Sequence, residues 1–177
     1  MVSVYDLKTY KPKSTDKFLF DTNILVFLYN SLNPDLNETK SEVYSNFMAE
    51  IVKSGATIYL TSLNLAEFVN VLISREYNIK KQGKDDSYQK KRDFRNSDDY
   101  TYAIEQIKPI IRRMLSTFTK LSDNFEELAI ENLTNDIKID FNDEYFNYLC
   151  NYNDIKILST DFEEAVKEYQ MSQGVFE

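Results

Sequence analysis

Short apolar runs alternate with amphipathic segments along this chain, and that alternation constrains its fold more than any other feature. Lys17–Asp21 opens with the continuous apolar residues Phe18, Leu19 and Phe20, the pattern of a short buried strand. Asn23–Leu32 follows with Ile24, Leu25, Phe27 and Leu28 on one side, which predicts a helix. "ATIYLTS" reads as a second strand, and "LNLAEFVNVLISREY" as an amphipathic helix capped at Ser62 or Asn64. "DIKILST" reads as a further strand, between the helices "NDEYFNYLCNY" and "DFEEAVKEYQ". Strands separated by helices pair in parallel, so the expected class is α/β with a mostly parallel sheet.

The remaining segments fit around this frame. "SLNPDLNET" has turn chemistry, and Ser41–Ser54 is expected to be helical with Gly55 as its stop. "SDDYTYAIEQIKPIIRRMLSTF" predicts a helix capped by Ser97 or Asp98, with Pro109 as a kink or junction. Its positions Tyr100, Tyr102, Ile104, Ile107, Ile110, Ile111 and Leu115 suit a core face or a homodimer face. "FEELAI" has the look of a short strand. No internal repeat or low-complexity tract interrupts the 177 residues, which suggests a single domain over 1–177. Residues 1–16 form an extension before the first strand.

Residues 75–97 differ in character. Eight basic residues face four acidic ones between Arg75 and Arg95, a local excess of +4 in a chain of net charge −8. Such a run is commonly a solvated face. The sharper expectation is a phosphate-contacting segment, with Lys80, Lys81, Lys90, Lys91, Arg92 and Arg95 holding RNA. Tyr77, Tyr88 and Phe94 lie among these cations and could stack on unpaired bases. Gly83 is the expected helix breaker.

Absences narrow the chemistry. The chain has no histidine, so Ser-His-Asp and Cys-His catalysis are excluded. One cysteine, Cys150, allows neither an internal disulfide nor a Cys/His zinc site, and suits a reducing cytoplasm. A metal would need oxygen ligands, which favours Mg²⁺ or Mn²⁺. No apolar run reaches the roughly 18–20 residues of a membrane helix, and the N-terminus lacks an apolar signal core. A cytoplasmic protein with no membrane partner is therefore expected.

Four acids fall where open α/β sheets place ligands, at strand-to-helix junctions or first helical turns. Asp21 ends the first strand, Glu67 lies in the helix after "TIYLTS", Asp143 opens "DEYFNYLC", and Asp161 follows "IKILST". Like charges ~4 Å apart repel by on the order of 4 kcal/mol at an effective dielectric near 20. A divalent cation removes that repulsion. Each acid also has an ordinary reading. Asp21 and Asp161 could be helix caps, Glu67 an exposed helix residue, and Asp143 a first-turn acid behind an Asp140 cap.

These stretches resemble the PIN-domain ribonucleases, the family of the VapC toxins. "FLFDTNILVFLY" is similar to the family's opening motif, "TSLNLAEFVNVL" to its second acidic motif, and "FNDEYFNYLCNYNDIKILSTDFEEA" to its third and fourth. Asp143 and Asp161 stand 18 residues apart, Ser159 takes the place of the small hydroxyl residue, and Phe162 that of the aromatic. The resemblance implies a Rossmann-like α/β/α sandwich, and the stretch between Glu67 and Asp143, longer than in the short toxins, reads as a helical, basic insertion around residues 75–120. The resemblance further implies an Mg²⁺- or Mn²⁺-dependent endoribonuclease with Asp21, Glu67, Asp143 and Asp161 as metal ligands and catalytic residues. Asn23 and Ser159 would support them, and a small antitoxin protein would be a partner. The alternative is a catalytically silent PIN-like domain that binds RNA or serves as a scaffold. An aspartyl phosphatase is disfavoured, because its second Asp would fall at position 23, which is Asn.

Overall fold

Four strands pair into one all-parallel sheet in the order β3-β2-β1-β4. They are β1 (Lys17–Phe20), β2 (Thr57–Leu60), β3 (Thr119–Lys120) and β4 (Lys156–Leu158). This computed structural model describes residues 7, 9–29, 38–123, 125–126 and 141–159. Between the strands lie α1 (Thr22–Tyr29), α2 (Glu38–Ser54), α3 (Ser62–Lys81), α4 (Asp98–Thr117) and α5 (Phe141–Asn153). The expected last helix "DFEEAVKEYQ" and most of "FEELAI" lie outside the described residues. No described helix is long and apolar enough to cross a membrane.

The strand period of two separates the core into two layers. Phe18 and Phe20 of β1, with Ile58 and Leu60 of β2, enter a large cluster that includes residues from α1 to α4. Leu19, between the two phenylalanines, enters a second cluster with Tyr145, Phe146, Leu149 and Cys150 of α5. Helices therefore cover both faces, the arrangement expected of a Rossmann-like sandwich. β1 is buried from Phe18 onward, as a strand covered on both sides must be.

Winding reverses once. The chain passes from β1 to β2 to β3 in one direction, then returns to place β4 on the other side of β1. The switch point is thus the crevice between β1 and β4. Ligands in such sheets bind at the carboxyl ends of the strands beside this crevice.

The amino-terminal edge of the sheet is tied by charge. Asp16, 8% exposed, accepts bonds from the Tyr10 hydroxyl (2.7 Å), the Lys13 N–H (2.8 Å) and the Lys156 ammonium (2.9 Å). Its carbonyl accepts from Thr57 N–H at 3.0 Å. The segment before β1 is therefore a clasp on the starts of β1, β2 and β4. Leu7 and Tyr10 also pack on the larger core cluster.

The structure corrects the expected α3 cap and bears out Gly83 as the break after α3. The α3 cap is Thr61, whose hydroxyl accepts from Asn64 N–H, rather than Ser62 or Asn64. α4 runs through Pro109, which is exposed, so the carbonyl left without its N–H partner lies on the wet face of the helix. α3 ends at Lys81, just before Gly83, whose φ of +79° favours glycine.

Candidate active site

Asp21 follows the last residue of β1 and precedes α1. Its N–H donates to Leu158 O at 2.8 Å, and its carbonyl accepts from Leu25 N–H at 3.1 Å, the first bond of α1. The residue therefore occupies the cap position, yet its carboxylate is drawn across the switch point. The Ser159 hydroxyl, just beyond β4, donates to Asp21 Oδ2 at 2.9 Å. Asp21 is 8% exposed, so its charge is largely removed from bulk water.

Glu67 reaches the same edge from α3. The Thr22 hydroxyl, one residue after Asp21, donates to Glu67 Oε2 at 2.7 Å. Asn64 fixes the start of α3 against the end of β1. Its Oδ1 accepts from Thr61 Oγ1 at 2.9 Å, and its Nδ2 donates to Phe20 O at 3.3 Å. Asn64 is fully buried, and these bonds satisfy it. Sequence alone marks Asn64 only as a possible helix cap and assigns Thr22 no role, although each lies inside a quoted motif. Their role depends on which strand ends become neighbours.

The four expected ligands have different standing. Glu67 is bonded to the hydroxyl of Thr22, the residue after Asp21, while the Asp21 carboxylate is bonded to Ser159. Asp143 is exposed on the first turn of α5. Asp161 lies outside the described residues. Among the described residues no three acids gather closely enough to hold a metal ion. Asp21 and Glu67 offer oxygen donors, the chemistry suited to Mg²⁺ or Mn²⁺. Asn23 is exposed on α1 beside this edge.

Beside Glu67 an open groove of about 390 Å³ runs along α3. Asn70, Ser74, Arg75 and Asn78 line it from the helix, and Asn142 of α5 lines it from across the groove.

The basic segment is folded against α3 and α4. Lys80 pairs with Asp99 of α4 at 2.8 Å. Arg92 pairs with Asp93 at 2.8 Å and donates to Ser87 O at 2.7 Å. Lys90 donates to Ser74 Oγ. Lys81 stands over the Tyr77 ring, while Lys91 and Arg95 are exposed. The expectation that the aromatics here stack on bases is corrected for Phe94, which is wholly buried between Tyr77 and Tyr100. Tyr77 and Tyr88 stack on one another, with ring centroids 6.0 Å apart, and the Tyr77 hydroxyl donates to Tyr88 O.

Cys150 lies on the buried face of α5, and burial pushes its thiol up to about 12. No family model, curated protein or solved structure matches this chain.

Proposed function

We propose that the chain is a metal-dependent endoribonuclease of PIN type, with its site at the carboxyl ends of β1 and β4. One observation carries this reading. The largely buried Asp21 carboxylate stands at the sheet's switch point, and Glu67 is held to the adjacent Thr22. A fold that only needs a helix cap has no requirement for a second acid there.

Asp21 and Glu67 would hold Mg²⁺ or Mn²⁺, with Asp143 and Asp161 as further ligands supplied by α5 and by the chain after β4. When bound, the ion supplies an activated water and offsets charge on a phosphodiester. The protein's own part is to fix its carboxylates. The Ser159 hydroxyl orients Asp21, the Thr22 hydroxyl orients Glu67, and Asn64 holds the backbone from which both emerge. Such outer partners set ligand direction and basicity. The toxin setting, with a small antitoxin over this edge, rests on the resemblance alone.

The test is incubation of the protein with mixed-sequence single-stranded RNA and Mn²⁺, beside EDTA and Asp21→Asn controls. Cleavage lost in both controls is the expected result. Cleavage that survives Asp21→Asn would remove Asp21 from the site.

A second reading, a non-catalytic RNA-binding domain, is favoured by one observation. The Asp21 and Glu67 carboxylates already accept hydroxyl bonds, and among the described residues no third acid forms a metal-holding group with them. It predicts no Mn²⁺-dependent rise in melting temperature.

A further inference from the structure

The groove along α3 carries a feature that the metal site does not explain. Arg75 lines it, and the Nη1 of its guanidinium is buried without a hydrogen-bond partner among the described residues. A buried donor left unpaired costs about 1–3 kcal/mol, more when it belongs to a charged group. Retaining such a group is unusual unless something else supplies the acceptor.

The surroundings indicate which acceptor. Lys90 arrives from the basic segment and donates to Ser74 Oγ, so a second cation stands beside the same end of the groove. At the other end is Glu67, the candidate metal ligand. Between them the wall is uncharged and partly apolar, with Asn70 and Val71 from α3 and Asn142 from α5. Eight residues of helix separate Glu67 from Arg75, about 12 Å at 1.5 Å per residue. The groove therefore runs from an acidic end suited to a cation to a basic end suited to an anion.

We propose that this groove seats a single strand of RNA, with one backbone phosphate on Arg75 and Lys90. The scissile phosphate lies at the Glu67 end. Arginine matches a phosphate with two parallel donors, and a rotation of the guanidinium toward the groove would give its buried Nη1 the acceptor it lacks. The amides of Asn70, Asn78 and Asn142 can bond to riboses and base edges along the way. The strand's identity as RNA rests on the ribonuclease reading. The phosphate seat rests on Arg75 and the groove.

The experiment measures binding rather than turnover. A fluorescently labelled single-stranded RNA hexanucleotide is titrated with the protein in EDTA, by anisotropy, over a range of salt. Arg75→Gln should bind roughly tenfold more weakly, with a salt slope shallower by about 0.7–1. Each phosphate of the hexanucleotide is then replaced in turn by a neutral methylphosphonate. One position should reproduce the loss in the wild-type protein and cost nothing further in Arg75→Gln. Equal affinity and equal slope in Arg75→Gln would overturn the proposal. If that variant does not fold, the methylphosphonate series on the wild-type protein decides, and the absence of any sensitive position overturns it. Arg75-dependent binding without Mn²⁺-dependent cleavage would sink the ribonuclease reading and leave the groove standing. Cleavage indifferent to Arg75 would do the reverse.

Discussion

The Ser159 hydroxyl donates to Asp21 Oδ2 at 2.9 Å, across 138 residues of sequence. The contact follows from strand register. Phe20 of β1 pairs with Leu158 of β4, so the residues that follow each strand emerge side by side. Slipping either strand by one residue would turn its side chains to the opposite face and separate the pair. Asp21 and Ser159 are therefore held by the sheet rather than by a loop.

Ser159→Ala tests how much that bond matters. It removes the donor and leaves a largely buried carboxylate short of a partner, at a cost of about 1–3 kcal/mol. In a chain of this size each kcal/mol shifts Tm by roughly 2–4 °C. The expected result is a Tm lower by a few degrees. Cleavage should fall about tenfold or more, with RNA binding in EDTA unchanged. A Tm and cleavage rate equal to wild type would show that Ser159 does not orient Asp21.

Thr22→Val asks the same of Glu67. The substitution keeps the volume of a residue that is 4% exposed and removes the hydroxyl donating to Glu67 Oε2. Binding confined to the folded state raises stability by RT ln(1 + [L]/Kd). Mn²⁺ titration of Tm therefore reports affinity. Thr22→Val should weaken Mn²⁺ by about 10–100-fold, while Asp21→Asn should abolish the shift. An undiminished shift in both variants would place the ion elsewhere.

The central strand β1 was legible because it is apolar and buried on both faces. Phe18, Leu19 and Phe20 announce β1 without help from the rest of the chain. β3 was not legible, since Thr119 and Lys120 are both exposed at the edge of the sheet and carry no apolar pattern. Asp21 and Glu67 stood out as acids beside apolar runs. Thr22, Asn64 and Arg75 did not, because their significance lies in contacts set by tertiary structure. The α3 cap, expected at Ser62 or Asn64, is Thr61, one of three neighbouring cap-forming residues that composition cannot rank. Phe94 was misread because a phenylalanine among cations resembles a stacking platform until its neighbours Tyr77 and Tyr100 are in place.

Asp16 makes a prediction about pH. Burial raises the pKa of its carboxyl, but bonds from Lys13 N–H, the Lys156 ammonium and the Tyr10 hydroxyl outweigh it and hold the group at about 2. A carboxyl with a folded-state pKa below its unfolded value of 3.8 stabilises the protein above that value. The contribution is lost as pH falls from there toward about 2. Discounted for the part of the cluster that solvent screens, it amounts to on the order of 1 kcal/mol. Asp16→Asn should therefore lower Tm at pH 7 and have little effect near pH 2. A difference that is the same at both pH values would show that charge at Asp16 is not what clasps the sheet.

Phe94→Ala separates packing from recognition in the basic segment. The Phe94 ring is wholly buried, and its centroid lies 5.7 Å from that of Tyr77 and 5.7 Å from that of Tyr100. Removing such a ring costs about 3–5 kcal/mol through lost burial and the cavity left behind. That corresponds to a fall in Tm of roughly 6–20 °C. Lys91→Ala and Arg95→Ala, at exposed positions, should leave Tm within a degree or two. If the segment also contacts phosphates, those two changes should weaken RNA binding and flatten its salt dependence. A Phe94→Ala protein that keeps its Tm while losing RNA affinity would restore the base-stacking role that the packing denies it.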